Sequence, residues 1–193
     1  MKKQSSQKSA KNQKKNYAFI DNQNVNVSIQ RMWWKIDRGK MIRRLRRDFD
    51  VEVAYLFMWY IPEYQKMYDF FDSLGYTLVF RQVVQWDNIP NKGNIDTELV
   101  LQAMIDYRKY NQAVIVSGDG DFSSLVEHLH SKKKLRCVIA PNKRRTSDFL
   151  QESADGRFLF LDGFKKKLSY TGEHKDRKSK KTKKEDDGEK FWM

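Results

Sequence analysis

Four aspartates stand where strand-like segments of the chain end or where a helix begins. Asp21 closes the apolar run YAFID, and Asp119 and Asp121 follow the run AVIV in the turn SGDGDF. Asp96 stands in KGNID, near the start of a helical segment. Carboxylates crowded into one cleft raise one another's pKa and destabilise the fold unless a cation neutralises them. Because Mg²⁺ and Mn²⁺ prefer carboxylate and water ligands and activate water against phosphodiesters, these acids predict metal-assisted phosphoryl chemistry.

Each acid also has a structural explanation. Aspartate tolerates glycine turns and caps helices, so Asp121 is also expected as the N-cap of a helix over 122–131. Asp96 is equally expected as a first-turn acid that the helix dipole favours. Gly118 and Gly120 are expected to let the backbone turn sharply beside these side chains. For each acid considered alone, the structural explanation is favoured. For the four acids considered together at one edge of a sheet, a metal site is favoured.

Strand-like and helix-like segments alternate along residues 17–164. Apolar spacing predicts strands over 17–21, 51–60, 76–85, 113–122 (ending in a turn), 135–141 and 157–161, and helices over 36–49, 62–74, 95–109, 122–131 and 146–154, with a loop through Asn94. This alternation predicts an α/β fold with a central parallel sheet and helices on both faces. Ligands bind such sheets at the carboxyl ends of the strands. The sequence has no Gly-rich loop for nucleoside triphosphates.

Positive charge is concentrated at the two ends of the chain. The 193 residues carry a net charge of +13, of which residues 1–16 supply six lysines and residues 165–193 a net of five positive charges. Both ends lack periodic apolar residues, which predicts disordered basic tails, 1–16 and 165–193, around one domain, 17–164. Lysine tails of this kind bind nucleic acid or simply solubilise a protein. A single cysteine and the lack of long apolar runs predict a cytoplasmic protein without disulfides or membrane spans.

The densest basic segment of the domain is 31–47. It contains Trp33 and Trp34 among eight basic residues: Arg31, Lys35, Arg38, Lys40, Arg43, Arg44, Arg46 and Arg47. Because arginine clasps phosphate and tryptophan stacks unpaired bases, the segment predicts binding of single-stranded RNA through Arg43, Arg44 and Arg47. The alternative is a solvated helix face with one tryptophan in the core.

Two residues outside this segment are further candidates. Lys92, beside Asp96 in the sequence, is the candidate for contacting the scissile phosphate. Trp59, at the end of a strand, is expected either to line the cleft or to pack at its rim.

Three motifs in order resemble the NYN family, in the LabA-like branch of PIN-like domains. They are IDNQNV (20–25), KGNIDTELVLQAM (92–104) and VSGDGDFSSLVEHL (116–129), and the similarity continues through IAPNKRRTSDFL (139–150). The resemblance implies a Rossmann-like PIN sheet over 17–164. It also implies a ribonuclease that cuts RNA with water activated by Mg²⁺ or Mn²⁺. The implied catalytic and metal-binding acids are Asp21, Asp96, Asp119 and Asp121.

The same resemblance implies roles for two polar residues. Asn24 would orient Asp21 or a substrate phosphate, and Ser117 would bond a carboxylate or a metal-bound water. The chain departs from the family pattern at Gln102, where many relatives carry another aspartate, and at Gly120, where serine is common.

Gln102 supports an alternative function, a catalytically weak or inactive RNA-binding or regulatory module that keeps the fold. An unrelated nucleotidase or phosphatase is a third hypothesis, which the position of the D-x-D after a late strand disfavours. A homodimer and a protein partner bound through the tails are further options that the sequence leaves open.

Overall fold

The structure, a computed structural model, describes residues 15–86, 89–92 and 95–172. Its strands are β1 (Asn16–Asp21), β2 (Val51–Tyr60), β3 (Thr77–Trp86), β4 (Ile89–Lys92), β5 (Ala113–Val116), β6 (Leu135–Ala140) and β7 (Phe158–Phe160). They form one sheet in the order β4-β3-β2-β1-β5-β6-β7. Six strands run parallel, and β4 pairs antiparallel with β3 at one edge.

Helices cover both faces of this sheet. They are α1 (Asn22–Gln30), α2 (Arg38–Phe49), α3 (Gln65–Ser73), α4 (Asp96–Ile105), α5 (Ser123–Ser131), α6 (Asp148–Ser153) and α7 (Lys165–Leu168), with short 3-10 turns at Pro62–Tyr64, Gly120–Phe122, Lys143–Arg145 and Asp162–Phe164. The predicted α/β fold with a parallel central sheet is therefore confirmed. Across the described ranges, no helix is both long and apolar enough to span a membrane.

Two apolar cores lie on the two faces of the sheet, because successive side chains of a strand point to opposite faces. Ile20 and Val116 belong to the core under α1, α2 and α3, whereas Phe19 and Ile115 belong to the core under α4, α5 and α6. Cys137 of β6 is buried in the first core, and this burial raises the pKa of its thiol to about 12.

The sheet has a switch point between β1 and β5. After β1 the chain fills the sheet in one direction through β2 and β3, and from β5 it fills the sheet in the other direction. Crossover helices diverge at such a point and leave a crevice at the carboxyl ends of the strands. Asp21 ends β1, and the segment from Ser117 to Asp119 directly follows β5. The topology therefore positions both acidic segments at this crevice.

The main differences from the sequence prediction are two unpredicted elements and one shorter helix. Residues 22–30 form α1, for which no helix was predicted. The predicted loop before Asn94 contains β4, which pairs with the end of β3. α4 ends at Ile105 rather than at residue 109, and the side chain of Asp106, just beyond it, is tied to Tyr55 by a hydrogen bond of 2.6 Å.

Regular structure also continues beyond the predicted domain boundary at residue 164. α7 covers Lys165–Leu168, Leu168 is buried in the core, and the next residue, Ser169, pairs with Ile36 as an isolated β-bridge. The prediction of a tail from residue 165 is therefore corrected for 165–172. Residues 1–14 and 173–193, the remaining parts of the predicted tails, lie outside the described residues.

Candidate active site

A cleft of about 680 Å³ opens at the carboxyl ends of β1 and β5. One wall is a face of α1, formed by residues at helical spacing: Gln23, Asn24, Val27, Ser28 and Arg31. Strand ends and the starts of other elements complete the lining with Asp21, Trp59, Ile95, Asp96, Asp119 and Arg145. Three of the four predicted aspartates thus line one cleft.

Asp21 is the buried acid of the cleft, with 3% of its surface exposed. It caps α1, since its Oδ1 accepts a hydrogen bond from the backbone N–H of Asn24 at 2.9 Å. Its Oδ2 accepts a hydrogen bond from the hydroxyl of Ser117 at 3.1 Å. These two donors fix both carboxylate oxygens, and each oxygen keeps a lone pair for a cation or a water.

The turn after β5 is tied to α1 and to itself. The side-chain oxygen of Asn24 accepts from the backbone N–H of Gly118 at 2.9 Å. The hydroxyl oxygen of Ser117 accepts from the N–H of Asp119 at 3.1 Å, and Oδ1 of Asp119 accepts from the N–H of Asp121 at 3.1 Å. The backbone N–H of Asn24 and the hydroxyl of Ser117 thus hold the carboxylate of Asp21, and the side chain of Asn24 holds the turn after β5.

Gly118 and Gly120 serve close packing rather than a sharp turn. Neither glycine has a positive φ, so the expectation of a special backbone conformation is corrected. A Cβ at Gly120 would lie 2.7 Å from Oγ of Ser147, and one at Gly118 would lie 3.2 Å from the carbonyl oxygen of Arg145. The small residues thus let the segment after β6 lie against the acidic turn, which carries Arg145 to the cleft.

Burial, together with the negative charges of Asp96 and Asp119, raises the pKa of Asp21 to about 6. These effects outweigh the hydrogen bonds from Asn24 and Ser117, which lower the pKa. Asp96 is the first residue of α4, and both it and Asp119 are half-buried. A cation bound in the cleft would offset the electrostatic repulsion among the three carboxylates.

The donor set fits a Mg²⁺ or Mn²⁺ ion held by few protein ligands. Within residues 15–86, 89–92 and 95–172, no three His, Cys, Asp or Glu side chains converge closely enough to form a complete metal cluster. Mg²⁺ keeps several waters and binds through one or two carboxylates together with substrate phosphates. Asp21 offers a buried carboxylate fixed for that role, and Asp96 and Asp119 face the same space. A structural zinc ion, which needs four protein ligands, does not fit this cleft.

The structure does not bring Asp121 into the cleft. Its side chain is exposed and borders a separate depression of about 760 Å³, which residues of α5 and α6 also line. The N-cap of α5 is Phe122, so the predicted capping role of Asp121 is wrong, and Asp119 caps the preceding turn Gly120–Phe122. The contact of Asp121 with the acidic site is made by its backbone N–H.

Two arginines that sequence reasoning did not assign to the site line the cleft. Arg31 follows α1 and continues the spacing that carries Asn24 and Ser28. Arg145 ends the 3-10 turn after β6, at the same edge of the sheet. Helical spacing from Asn24 and Ser28 could have indicated that Arg31 reaches the cleft. For Arg145, the sequence offered only its position after the end of a predicted strand. Trp59 takes the first of its two expected places, in the lining.

Arg43, Arg44 and Arg47 do not line the cleft. α2 runs toward the amino edge of the sheet, where the amide of Asn16 donates to the carbonyl oxygen of Phe49 at 2.7 Å. Arg43 and Arg47 are exposed on this helix, and Arg44 is half-buried. These three cations therefore lie away from the acids of the cleft.

Neighbouring side chains partly compensate the positive charges of Arg44 and Arg47. Arg47 forms an ion pair with Asp48 at 2.6 Å, and Arg44 is 3.3 Å from the same carboxylate. The guanidinium carbon of Arg44 also lies 3.9 Å from the ring centre of Phe164. Lys92 lies on β4, where only the backbone is described, opposite Val83.

Gln102, the departure from the family pattern, does not face the cleft. Its amide donates to Oδ2 of Asp106 at 2.8 Å, beside the Tyr55 hydroxyl that donates to the same oxygen. Since six residues make about one and two-thirds turns of helix, Gln102 and Asp96 lie on different sides of α4. The lack of an acid at residue 102 therefore leaves no gap among the acids of the cleft.

The structure is an open parallel sheet with an acidic cleft at its switch point, and the comparisons support a PIN-like domain of the nuclease type. The model of the NYN domain family matches residues 16–162. The chain belongs to this family, which confirms the resemblance seen in the sequence.

Two relatives extend this comparison. Low amplitude and bright protein LabA of Synechococcus elongatus is 27% identical over 133 residues, which cover 63% of this chain and 71% of that protein. A crystal structure of a protein of unknown function from Vibrio parahaemolyticus has a TM-score of 0.69 at 22% identity, covering 83% of this chain and 99% of that one. The second similarity shows the shared fold.

Proposed function

We propose that the protein is a metal-dependent endoribonuclease that hydrolyses single-stranded RNA in the cytoplasm. The observation that supports this proposal is the cleft shared by Asp21, Asp96 and Asp119, in which one carboxylate is buried and charged neighbours raise its pKa. Folding alone gains nothing from collecting three acids around a buried carboxylate, because their repulsion opposes the native state. A bound cation and an incoming phosphate give that arrangement a chemical use.

In this proposal Asp21, Asp96 and Asp119 would together hold Mg²⁺ or Mn²⁺, with one or two carboxylates bound directly and the rest bound through the ion's waters. The ion, when bound, supplies a more acidic water and positive charge for the oxyanion that leaves a phosphodiester. Asp21 provides the rigid carboxylate, because Asn24 and Ser117 fix both of its oxygens. Asp121 contributes through its backbone N–H, which holds Oδ1 of Asp119 in place.

RNA is held in this proposal by cations on either side of the acids. Arg31 and Arg145 line the cleft and are exposed, so their guanidinium groups can take phosphates that flank the scissile one. Lys92 is retained as a further phosphate contact from β4. Arg43, Arg44 and Arg47, on a helix directed away from the cleft, attract RNA at longer range.

Cleavage of end-labelled single-stranded RNA tests the proposal. We expect scission in Mg²⁺ or Mn²⁺ and none in EDTA. Asp119→Asn is expected to reduce the rate by at least about a hundredfold, since one fewer carboxylate is left to hold the ion. The substitution keeps the Oδ1 acceptor that bonds the N–H of Asp121, so the fold is expected to survive.

Asp72→Asn is the matched control for this test. Asp72 is exposed on α3, remote from the cleft, and its loss removes the same charge. RNA binding measured in EDTA should be retained by Asp119→Asn, which separates catalysis from binding. Metal-dependent scission that survives in Asp119→Asn at the wild-type rate would contradict the assignment of the site.

A second candidate is a catalytically weak RNA-binding or regulatory module. It is favoured by the lack, among the described residues, of three ligands that already converge on a metal position. In this case the wild-type protein binds the RNA and leaves it intact in every metal. The cleavage assay therefore distinguishes the two functions directly.

A further inference from the structure

We propose that Trp33 is a stacking platform for an unpaired base of RNA, next to the cleft and outside it. This inference rests on the proposed function for the identity of its ligand. Trp33 follows Arg31, which lines the cleft, by two residues, and it precedes Trp34, which packs in the core. The side chain of Trp33 is 93% exposed, whereas that of Trp34 is 8% exposed.

The backbone around Trp33 is fixed although its side chain is free of the core. The N–H of Trp33 donates to the carbonyl oxygen of Gln30 at 2.9 Å, and the amide of Asn142 contacts the sulfur of Met32 at 2.9 Å. Two residues further along, the carbonyl oxygen of Lys35 accepts from the N–H of Tyr170 at 2.9 Å. The ring is thus presented from an anchored turn.

The backbone conformation of Trp33 is unfavourable for a residue with a large side chain. Its φ is 60°, in the left-handed region that L-residues with large side chains rarely adopt. None of the ring–ring or cation–ring contacts in the described parts of the chain involves this side chain. An exposed tryptophan in a strained, anchored turn gains nothing from the protein's own core, which indicates an external ligand.

The charges around Trp33 favour a nucleotide as that ligand. Arg31 lies two residues before it and Lys35 two residues after it, and both are exposed. The contact between Asn142 and Met32 brings the turn Lys143–Arg145, with three more cations, beside the same segment. A flat apolar ring among cations matches a base with its phosphates, and every base offers a face for stacking.

Because Arg31 lines the cleft, a base stacked on Trp33 belongs to a nucleotide close to the scissile phosphate. Paired bases in a duplex have no free face, so Trp33 would select single strands or unpaired ends. The geometry thus makes Trp33 a binding and positioning residue that contacts the base but not the reacting atoms.

Fluorescence anisotropy in EDTA tests this inference without requiring cleavage. The probe is a short fluorescein-labelled oligouridylate, and the full chain is used. Trp33→Ala is expected to bind about five-fold to a hundred-fold more weakly than wild type, the range for loss of one stacked base. Trp33→Phe should retain most of the affinity. Phe149→Ala, which removes another ring that is 75% exposed but lies on α6, should bind as wild type.

An abasic nucleotide placed in turn at each position of the oligonucleotide identifies the stacked base. At one position the wild-type protein should lose affinity to the level of Trp33→Ala, and Trp33→Ala should lose nothing more. Duplex RNA should bind both proteins equally. Equal binding of the single strand by wild type and Trp33→Ala overturns the inference, as does an equal loss on duplex RNA or a failure of wild type to bind RNA.

A different experimental result would show that the proposed nuclease function is wrong. A protein that binds the oligonucleotide through Trp33 but never cuts RNA in metal leaves this inference standing and removes the nuclease. A Trp33→Ala variant that changes the oligomeric state in solution and keeps full RNA affinity instead shows that Trp33 contacts a second protein chain, which overturns the inference.

Discussion

The carboxyl group of Asp21 is buried where β1 ends, and its pKa is raised to about 6 by burial and by the charges of Asp96 and Asp119. In the unfolded chain this group has an ordinary pKa near 3.8. The native state therefore binds more protons than the unfolded state between these values, and the free energy of unfolding falls as pH rises through them. Above pH 7 the penalty reaches about 3 kcal/mol, since each tenfold change in a proton-binding constant corresponds to about 1.4 kcal/mol.

We expect Asp21→Asn to stabilise the metal-free protein while it abolishes cleavage. At pH 8 the free energy of unfolding should rise by about 1–2 kcal/mol, less than the full penalty because asparagine keeps only one acceptor for the two donors. Near pH 4 most of this gain should vanish, because wild-type Asp21 is protonated there. Urea unfolding in EDTA at both pH values measures the difference, and an equal gain at both would contradict an ionisation effect.

At this scale the sequence indicated the acids better than the arginines. An aspartate that directly follows an apolar run is a local pattern, so the placement of Asp21 and Asp119 could be inferred from neighbouring letters. With 38 lysines and arginines in the chain, composition does not indicate which cations reach the cleft. The place of Arg145 depends on packing of the turn after β6 against Gly118, a contact between distant segments.

At the scale of elements, a substitution in α4 tests whether the departure from the family pattern at Gln102 affects RNA cleavage. Burial would raise the pKa of Asp106, but hydrogen bonds from Lys109, Tyr55 and Gln102 outweigh burial and lower it. Gln102→Asp restores the family's residue type but sets a second carboxylate beside Asp106. We expect it to lower the free energy of unfolding by about 2 kcal/mol without raising the rate of RNA cleavage per folded molecule.

Chemical denaturation and the cleavage assay measure these two effects. Gln102→Met, which removes the hydrogen bond without adding charge, separates the loss of that bond from carboxylate repulsion. A clear increase in metal-dependent cleavage by Gln102→Asp would show that residue 102 acts at the metal after all.

α1 shows why some elements were not predicted from the sequence. Asparagine competes with the helical backbone for hydrogen bonds, and the segment NQNVNVSIQ has three asparagines. Its helix is held by the cap from Asp21 and by Arg38, whose guanidinium donates to the amide oxygens of Asn22 and Asn26. The strands other than β4 and the main helices other than α1 carry apolar patterns of their own and were predicted. β4 depends likewise on a distant partner, β3.

At the scale of the whole molecule, a chain with a net charge of +13 contains an acidic cleft, so the position of each cation decides how it contributes to RNA binding. Binding to single strands loses about 0.7 in the slope of log affinity against log salt for each phosphate contact removed. We expect Arg31→Gln with Arg145→Gln to lower this slope by about 1.4. Anisotropy titrations with oligouridylate in EDTA over a range of salt give the slope.

Arg43→Gln with Arg47→Gln is the matched pair, since it removes the same charge from α2. This pair should change the slope less, because Asp48 already compensates Arg47 and the helix is directed away from the cleft. A larger change from the α2 pair would move the principal RNA surface away from the acids.

The buried thiol on β6 has a practical consequence for following this molecule in solution. Cys137 is the single cysteine of the chain, and a thiol with a pKa of about 12 in the core is almost never a thiolate at neutral pH. Thiol reagents therefore leave the folded protein unmodified and react when the sheet opens around β6. The chain thus contains its own reporter of local opening, and the labelling rate of one atom records how often the centre of the fold is exposed to solvent.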